Sequence, residues 1–335
     1  MKNKSSDAIV RLDGVTKYFD QSRPLSLFKR ERTRVYALND VSFALERGDF
    51  AAYAGPNGAG KSTTFKLLAG MLKPQQGQVR MFGVDPCASR IPVMRRTGVL
   101  FGNRSELWWD HPVRASFEWK KVVWEIEDGE YRKNVAQLTE LLALDDLWNT
   151  FARELSLGQR MRANLALTLL HSPELVLLDE PTLGLDVLAK RQMIDFLKRV
   201  NRERGVTFLV TSHDMDDLTE MARRILLINR GHLSFDGSYD ELMRMAGDYR
   251  LVKLSLTGPG ADAAPPTLPG AEFVGREEGK YVYRYDAGKV SVEALFAALS
   301  GIPGVLDLEL SREGIETVIA GLYRRWANAP QAREA

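Results

Sequence analysis

A glycine-rich turn between a short apolar run and a helix-compatible segment constrains the fold more than any other feature. Residues 55–62 read Gly-Pro-Asn-Gly-Ala-Gly-Lys-Ser; they follow the apolar run Phe50 to Ala54 and lead into Ser62 to Leu68. This order fits the pattern G-x-x-x-x-G-K-[ST], in which a strand, a loop and a helix N-terminus surround phosphate oxygens. A chance glycine-rich turn is the alternative, but the flanking strand and helix count against it. We therefore predict a nucleotide phosphate site.

Each residue of this loop has an expected task. Backbone N–H groups enclose the phosphates, and the Lys61 ammonium reaches the β and γ phosphates. The Ser62 hydroxyl is a predicted Mg²⁺ ligand, and Thr63 is a further phosphate contact. The predicted nucleotide-binding residues here are Gly55, Pro56, Asn57, Gly58, Ala59, Gly60, Lys61, Ser62 and Thr63.

The chain length of 335 residues and the order of apolar runs predict two domains. Short apolar runs alternate with long helix-compatible stretches up to about residue 245, which is typical of an α/β domain built on parallel strands. A tryptophan-rich, helix-compatible region at about 104–172 predicts an inserted helical subdomain. Residues 246–326 then predict a small α+β domain, and 327–335 a tail.

Period-two apolar patterns predict strands in the small domain at Leu251 to Leu256, Lys280 to Asp286 and Val305 to Leu310. A Pro/Gly/Ala-rich stretch from Thr257 to Gly270 predicts a loop. Two helical faces are also predicted. Their residues are Val292, Leu295, Phe296 and Leu299 in the first, and Ile315, Val318, Ile319 and Leu322 in the second.

Composition limits the classes of function. A formal net charge of +2 gives no strong attraction to nucleic acid, so we expect no nucleic-acid partner. A lone cysteine, Cys87, forms no internal disulfide, which fits a cytoplasmic location. No apolar stretch approaches the ~20 residues of a transmembrane helix, so any membrane role is expected to be peripheral.

A second apolar run, Leu175 to Leu178, ends in the acids Asp179 and Glu180. The carboxyl end of a buried strand lies beside the phosphate loop in α/β folds. We interpret Asp179 as a Mg²⁺ ligand and Glu180 as the base that orients or deprotonates the attacking water. Acids that merely cap the following turn are the alternative.

His213 follows the apolar run Val206 to Val210, and it is predicted to contact the γ-phosphate from the same sheet edge. For His111, His171 and His232 we expect surface or turn positions.

The segment Leu155-Ser156-Leu157-Gly158-Gln159 precedes a predicted helix. Taken with the phosphate loop upstream and Leu177-Leu178-Asp179-Glu180-Pro181 downstream, it resembles the signature of ABC-type ATPases over roughly residues 8–245. The resemblance implies that ATP and Mg²⁺ are bound. It also implies that Ser156, Gly158 and Gln159 contact a nucleotide held by a second, head-to-tail subunit, and we expect this pair of subunits to be a homodimer.

Further residues match this family. Asp186 matches the D-loop of the family, and His213 matches its switch histidine. Tyr18 matches the aromatic residue that stacks on adenine. The alternative is that Tyr18 is only a half-buried strand tyrosine, in which case Tyr36 could take the place of Tyr18 on the adenine. Asn103 stands where the family usually has a glutamine that contacts Mg²⁺ and the attacking water. Its shorter side chain leads us to expect slower hydrolysis.

The resemblance implies a motor subunit on the cytosolic face of the membrane that works with separately encoded permease subunits. A basic insertion between Tyr18 and Ala37 and the segment Phe101 to Asp110 resemble exporters of the second type, which move drugs, lipids or polysaccharides. Contact of its basic residues with anionic lipid headgroups is one interpretation of the insertion, and a solvated loop is the simpler one. Trp108 and Trp109 are candidates for the groove that receives the permease, with core packing as the alternative.

The alternative functions are an importer motor, a soluble ABC ATPase that acts on nucleic acid or ribosomes, and a nonhydrolytic sensor.

Overall fold

The computed structural model describes residues 8–26, 29–102, 105–212, 214–257 and 264–328. The chain divides into two units, Met1–Ser238 and Tyr239–Ala335. The sequence placed this boundary after residue 245. The structure places it earlier because a helix, Tyr239–Ala246, packs against the C-terminal helix of the second unit.

The first unit contains nine described strands and seven described α-helices. The strands are β1 (Ala8–Ser26), β2 (Lys29–Glu46), β3 (Phe50–Ala54), β4 (Gln76–Met81), β5 (Thr97–Phe101), β6 (Leu175–Asp179), β7 (Thr207–Thr211), β8 (Arg224–Asn229) and β9 (His232–Gly237). The helices are α1 (Lys61–Leu68), α2 (Arg90–Met94), α3 (Val113–Val123), α4 (Asp128–Leu142), α5 (Leu157–Leu169), α6 (Val187–Arg204) and α7 (Met215–Met221).

A six-stranded sheet in the order β5-β6-β7-β3-β8-β9 positions the candidate site. Its neighbours pair in parallel except for the antiparallel pair β8 and β9. The strands β3 and β7 are buried along their whole length, as expected for strands covered on both faces. Ala52 lies opposite Val210, which lies opposite Leu178, so three strands end at one edge in register.

A second, antiparallel sheet in the order β2-β1-β4 packs on the core of this unit. The strands β1 and β2 also continue beyond β4 as a two-stranded hairpin, with Ser26 opposite Lys29. The basic insertion that we interpreted as a solvated loop is therefore paired β-structure along its described backbone.

The helices α3, α4 and α5 lie between β5 and β6, which confirms the inserted helical region. Local sequence sets the ends of these helices. Ser156 caps α5 through a capping box with Gln159, and Asp186 caps α6 by accepting a hydrogen bond from the Ala189 N–H. The helix α6 ends at Gly205, whose φ of 64° suits a left-handed C-terminal cap.

The second unit contains α8 (Tyr239–Ala246), β10 (Tyr249–Leu256), β11 (Ala271–Glu277), β12 (Lys280–Asp286), α9 (Val292–Ser300), β13 (Val305–Arg312) and α10 (Ile315–Asn328). Its antiparallel sheet has the order β11-β12-β10-β13. Three of these strands were predicted, but β11 was missed. Most of β11 is exposed, so its sequence lacks the alternating apolar pattern of a half-buried strand.

The two predicted helical faces differ in how far they are buried. All four apolar residues predicted on α10 are buried. On α9, Leu295 and Leu299 are buried, whereas Val292 is 41% exposed and Phe296 50% exposed. Among the described residues, no helix is long and apolar enough to span a membrane.

His171, expected at a surface or turn position, is instead largely enclosed where the helical region meets β5. One ring nitrogen lies 3.2 Å from the Thr97 carbonyl oxygen, and the ring packs against Trp124. Burial, assisted by the positive charge of Lys120, lowers the pKa of His171 to about 3, although the Thr97 carbonyl opposes the shift. The imidazole is therefore neutral in the folded protein near neutral pH.

This depressed pKa predicts acid sensitivity. Between pH 6.5 and pH 3 the unfolded chain binds a proton at His171 that the folded chain does not, so stability falls as pH falls through this window. The expected slope from this one group reaches about 1.4 kcal/mol per pH unit. The replacement His171→Gln should flatten the loss of stability between pH 6.5 and pH 4.

Urea midpoints followed by tryptophan fluorescence measure this effect at a series of pH values. His232→Gln, at an exposed position, controls for the removal of a histidine. An unchanged slope in His171→Gln would show that other groups govern the acid response.

Candidate functional site

The phosphate loop lies between β3 and α1, as predicted. The φ of Gly60 is 116°, and a Cβ on this residue would lie 2.4 Å from the Ala37 carbonyl oxygen. A Cβ on Gly55 would lie 2.2 Å from the Ile228 carbonyl oxygen. Any larger residue would displace backbone at both positions, so glycine is required where the loop passes β2 and β8.

Two side chains beneath the loop were not predicted to take part in the site. The buried Thr64 hydroxyl lies 2.9 Å from the Tyr53 hydroxyl, and it donates to the Gly60 carbonyl oxygen at 3.2 Å. The Ala59 N–H closes the turn by donating to the Pro56 carbonyl oxygen at 3.1 Å. These bonds fix the loop on the end of β3 and on the first turn of α1.

Lys61 is half-buried at the start of α1, and its ammonium donates to the Gly55 carbonyl oxygen at 2.6 Å and to the Pro56 carbonyl oxygen at 3.3 Å. Burial lowers the pKa of Lys61, and the charges of Glu180 and Asp179 oppose this shift. Both carboxylates are thus close enough to act on the ammonium electrostatically. Ser62 is exposed and Thr63 half-buried at the same helix terminus.

The two predicted acids lie at the carboxyl end of β6, where Thr211 of β7 holds both. The Thr211 hydroxyl donates to Asp179 Oδ1 at 2.6 Å. The Glu180 N–H lies 3.1 Å from the Thr211 carbonyl oxygen and 3.1 Å from its hydroxyl oxygen. Glu180 has a φ of 57°, a left-handed backbone conformation that is uncommon outside glycine and frequent at functional sites.

Asn103 and His213 lie outside the described residues, and their roles stay predictions. Their described neighbours lie at the same sheet edge. The N–H of Gly102 donates to the Asp179 carbonyl oxygen at 3.0 Å, and Ser212 is buried next to Thr211.

Asn164 of α5 also fixes the loop at residues 105–106, a role that the sequence did not indicate. Its Oδ1 accepts hydrogen bonds from the Ser105 hydroxyl at 3.1 Å and from the Glu106 N–H at 3.0 Å. The Glu106 carboxylate in turn pairs with the buried Lys120 ammonium at 2.7 Å. The helix that begins at Ser156 is thus attached to this loop.

Tyr18 and Tyr36 lie opposite each other in β1 and β2, and their rings lie 5.5 Å apart. Tyr36 is 49% exposed, and the Arg34 guanidinium lies over the Tyr18 ring at 4.9 Å. Ala37, next to Tyr36, contacts the phosphate loop at Gly60. Both tyrosines therefore lie near the loop, and neither is selected over the other as the base-stacking residue.

Ser156, Gly158 and Gln159 lie at the N-terminus of α5, and the hydrogen bonds of the Ser156 and Gln159 side chains join these two residues to each other. A Cβ on Gly158 would contact Ala189, and a Cβ on Gly184 would lie 2.8 Å from Leu157 Cδ2. The signature segment therefore adjoins the segment that contains Asp186 within the same chain.

Trp108 and Trp109 are 39% and 52% exposed. Arg160 covers the Trp109 ring at 5.2 Å, and Trp108 packs against Trp119. Core packing is therefore the wrong interpretation for these two residues. A cavity of about 340 Å³ lies nearby, lined by residues that include Gly102, Leu157, Asn164 and Gly184.

In the part of the chain that the structure describes, no three His, Cys, Asp or Glu side chains cluster as a metal site. The predicted Mg²⁺ ligands among the described residues are instead one hydroxyl, Ser62, and one carboxylate, Asp179. Such a sparse set suits Mg²⁺, which usually keeps one or two protein ligands beside substrate phosphates and water.

Comparisons with known proteins support these observations. A family model described as "ABC transporter" matches residues 38–183. The chain is 33% identical over 223 residues to the energy-coupling factor transporter ATP-binding protein EcfA of Methanothermobacter thermautotrophicus, a match that covers 66% of this chain and 71% of that protein.

Two other relatives bear on the direction of transport. The probable multidrug ABC transporter ATP-binding protein YbhF of Escherichia coli is 35% identical over 62% of this chain and 35% of its own length. The sulfate/thiosulfate import ATP-binding protein CysA 2 of Agrobacterium fabrum is 29% identical over 93% of this chain and 89% of its own length.

Among solved structures, an ATP-binding cassette in a dimeric, post-hydrolysis state bound to ADP and Pi is similar, with a TM-score of 0.58 and 25% identity. The similarity covers 68% of this chain and 98% of that chain. With the phosphate loop, the paired acids and the signature segment in place, the chain belongs to the ATP-binding proteins of ABC transporters and is an ABC ATPase.

Proposed function

We propose that the chain is the motor subunit of an ABC exporter, which hydrolyses ATP to drive separately encoded permease subunits from the cytosolic face of the membrane. The observation on which this rests is the grouping of Lys61, Asp179 and Glu180 at one sheet edge, close enough for their charges to interact. Lys61 binds the β and γ phosphates, and Glu180 accepts the proton of the attacking water.

Mg²⁺ fits the residues at this edge. Ser62 and Asp179 would hold it, with Asn103 beside them, and it would supply charge neutralisation to the phosphate oxygens. The Thr211 hydroxyl holds the Asp179 carboxylate in one orientation, which is the support that a metal-ligating carboxylate usually needs. His213 contacts the γ-phosphate, and Tyr18 or Tyr36 stacks on the adenine.

The site is completed by a second subunit. Ser156 and Gln159, with Gly158 between them, form the capping box of α5, whose N-terminus suits a phosphate, and the side-chain bonds of Ser156 and Gln159 stay within that cap. In a head-to-tail homodimer each signature segment closes over the nucleotide of the other chain. The similar cassette that was solved as a dimer with ADP and Pi supports this arrangement.

Export is the proposed direction, and import is the rival. The hairpin at residues 19–35 and the segment after β5 are the features that resemble exporters of the second type, and the similarity to YbhF agrees with them. The similarity to CysA 2 over 93% of this chain supports import. Trp108 and Trp109, exposed after the loop at residues 105–106, are the proposed contact with the permease.

Purification of the tagged chain from solubilised membranes tests the assembly. We expect a multi-helix membrane protein to copurify with it, and inverted vesicles that contain the complex to accumulate substrate when ATP is added outside. ATP-dependent release of substrate from those vesicles would establish import. Copurification with RNA, DNA or ribosomes alone would contradict the transporter assignment.

A further inference from the structure

A partly buried ionic network joins the segment after Glu180 to the segment after β7. Lys190, in the first turn of α6, donates to Asp214 Oδ2 at 2.7 Å and to Asp217 Oδ2 at 3.1 Å. The Thr182 hydroxyl donates to the same Asp217 oxygen at 2.8 Å. A single ammonium therefore joins residues that lie far apart along the chain.

Thr182, Lys190 and Asp214 each lie on or beside a different segment of the candidate site. Thr182 lies between Glu180 and the D-loop, residues 184–186. Lys190 lies on the helix that Asp186 caps. Asp214 follows His213 in the switch loop, residues 211–214, which the structure describes except at His213. Asp214 also caps α7 by accepting the Asp217 N–H at 3.1 Å.

The network is partly shielded from solvent, and its charges are paired. The Asp217 side chain is 7% exposed, Lys190 28% and Asp214 31%. The Asp214 hydrogen bond raises the pKa of Lys190 despite the opposing effect of burial. Burial alone would raise the pKa of Asp214, but the Lys190 hydrogen bond holds it below its usual value. Lys190 and Asp214 therefore stay charged and bonded to each other near neutral pH.

We propose that Lys190 is a positioning residue for ATP hydrolysis, which locks the switch loop to the D-loop so that the two move together. This inference rests on the head-to-tail dimer proposed above, in which the D-loop of each chain meets the site of the other. A displacement of the D-loop when one site closes is then passed through Lys190 to the switch loop of the same chain. The network thus couples the two sites.

Lys198 offers a matched control within the same helix. Its ammonium lies 3.9 Å from Glu220 Oε1 of α7, and the two side chains are 40% and 46% exposed. Lys198 therefore bridges the same pair of helices as Lys190, but away from both loops and in contact with solvent. Removal of its charge tests a generic contact between α6 and α7.

The test compares Lys190→Met, Lys190→Arg and Lys198→Met in steady-state ATP hydrolysis by the full chain. We expect Lys190→Met to lower kcat about tenfold and to bring the Hill coefficient for ATP towards 1, because coupling energies within such networks are of this order. Lys190→Arg should recover most of the wild-type kcat and most of the wild-type Hill coefficient. Lys198→Met should match the wild type in both quantities. ATP affinity, measured in the Glu180→Gln background, should change less than about twofold in all three.

Wild-type kcat and cooperativity in Lys190→Met would overturn the inference. An equal loss of kcat and cooperativity in Lys198→Met would also overturn it. So would a loss of kcat in Lys190→Met that is explained by lower ATP affinity or lower thermal stability. If Lys190→Met does not fold, Lys190→Gln, which removes the charge but keeps an amide donor, is measured in its place against the same criteria. Failure of the dimer itself is distinguishable, because the wild type would then show neither cooperativity nor ATP-dependent dimers.

Discussion

Replacement of Glu180 with glutamine is expected to lower the ATP turnover of the chain by about 10²- to 10³-fold while ATP binding persists. The amide keeps the shape of the side chain but cannot accept the proton of the attacking water at neutral pH. Because the γ-phosphate is then retained, ATP should also hold the chain as a stable dimer. Steady-state hydrolysis, ATP titration and size-exclusion chromatography with ATP measure the three consequences.

Glu140→Gln is the matched control, because Glu140 is exposed on α4 in the helical region. It should leave turnover within about twofold of the wild type, as expected for a surface substitution. Turnover in Glu180→Gln within tenfold of the wild type would exclude Glu180 as the base. A loss of ATP binding in that variant would instead assign Glu180 to the binding of the nucleotide.

Replacement of Lys61 with alanine is expected to weaken ATP binding on the order of 10²-fold, since hydrogen bonds between an ammonium and phosphate oxygens contribute about 1.5–3 kcal/mol. Turnover should fall with occupancy and remain low at saturating ATP, because the γ-phosphate loses its positive partner. Isothermal titration with ATP gives the affinity, and thermal unfolding shows whether the loop still folds.

Lys66→Ala controls for the loss of a lysine from the same helix, since Lys66 is exposed on α1. Its ATP affinity should equal that of the wild type. If Lys61→Ala bound ATP with undiminished affinity, the ammonium would not be a phosphate ligand, and its bonds to Gly55 and Pro56 would be its whole role.

The predictions that held depend on short stretches of sequence. The phosphate loop needs glycine at Gly55 and Gly60 for steric reasons, and the helix predicted after the signature segment is capped by Ser156 through residues within one helical turn. The predictions that failed concern segments whose structure depends on exposure of their side chains to solvent or on pairing between strands. The strand β11 carries little buried apolar surface, and the insertion after Tyr18 pairs with itself as a hairpin without a clear periodic pattern.

By itself, the sequence determined the strand–loop–helix unit at Gly55 to Ser62, the acids that end β6 and the capped signature helix, because these follow from backbone sterics and local hydrogen bonds. Only the tertiary structure decided that Thr211 holds Asp179, that Asn164 holds the loop after β5 and that Lys190 pairs with Asp214 and Asp217. Those contacts arise from the order in which strands and helices become neighbours. That order is set by the burial of the whole apolar core, which no local pattern specifies.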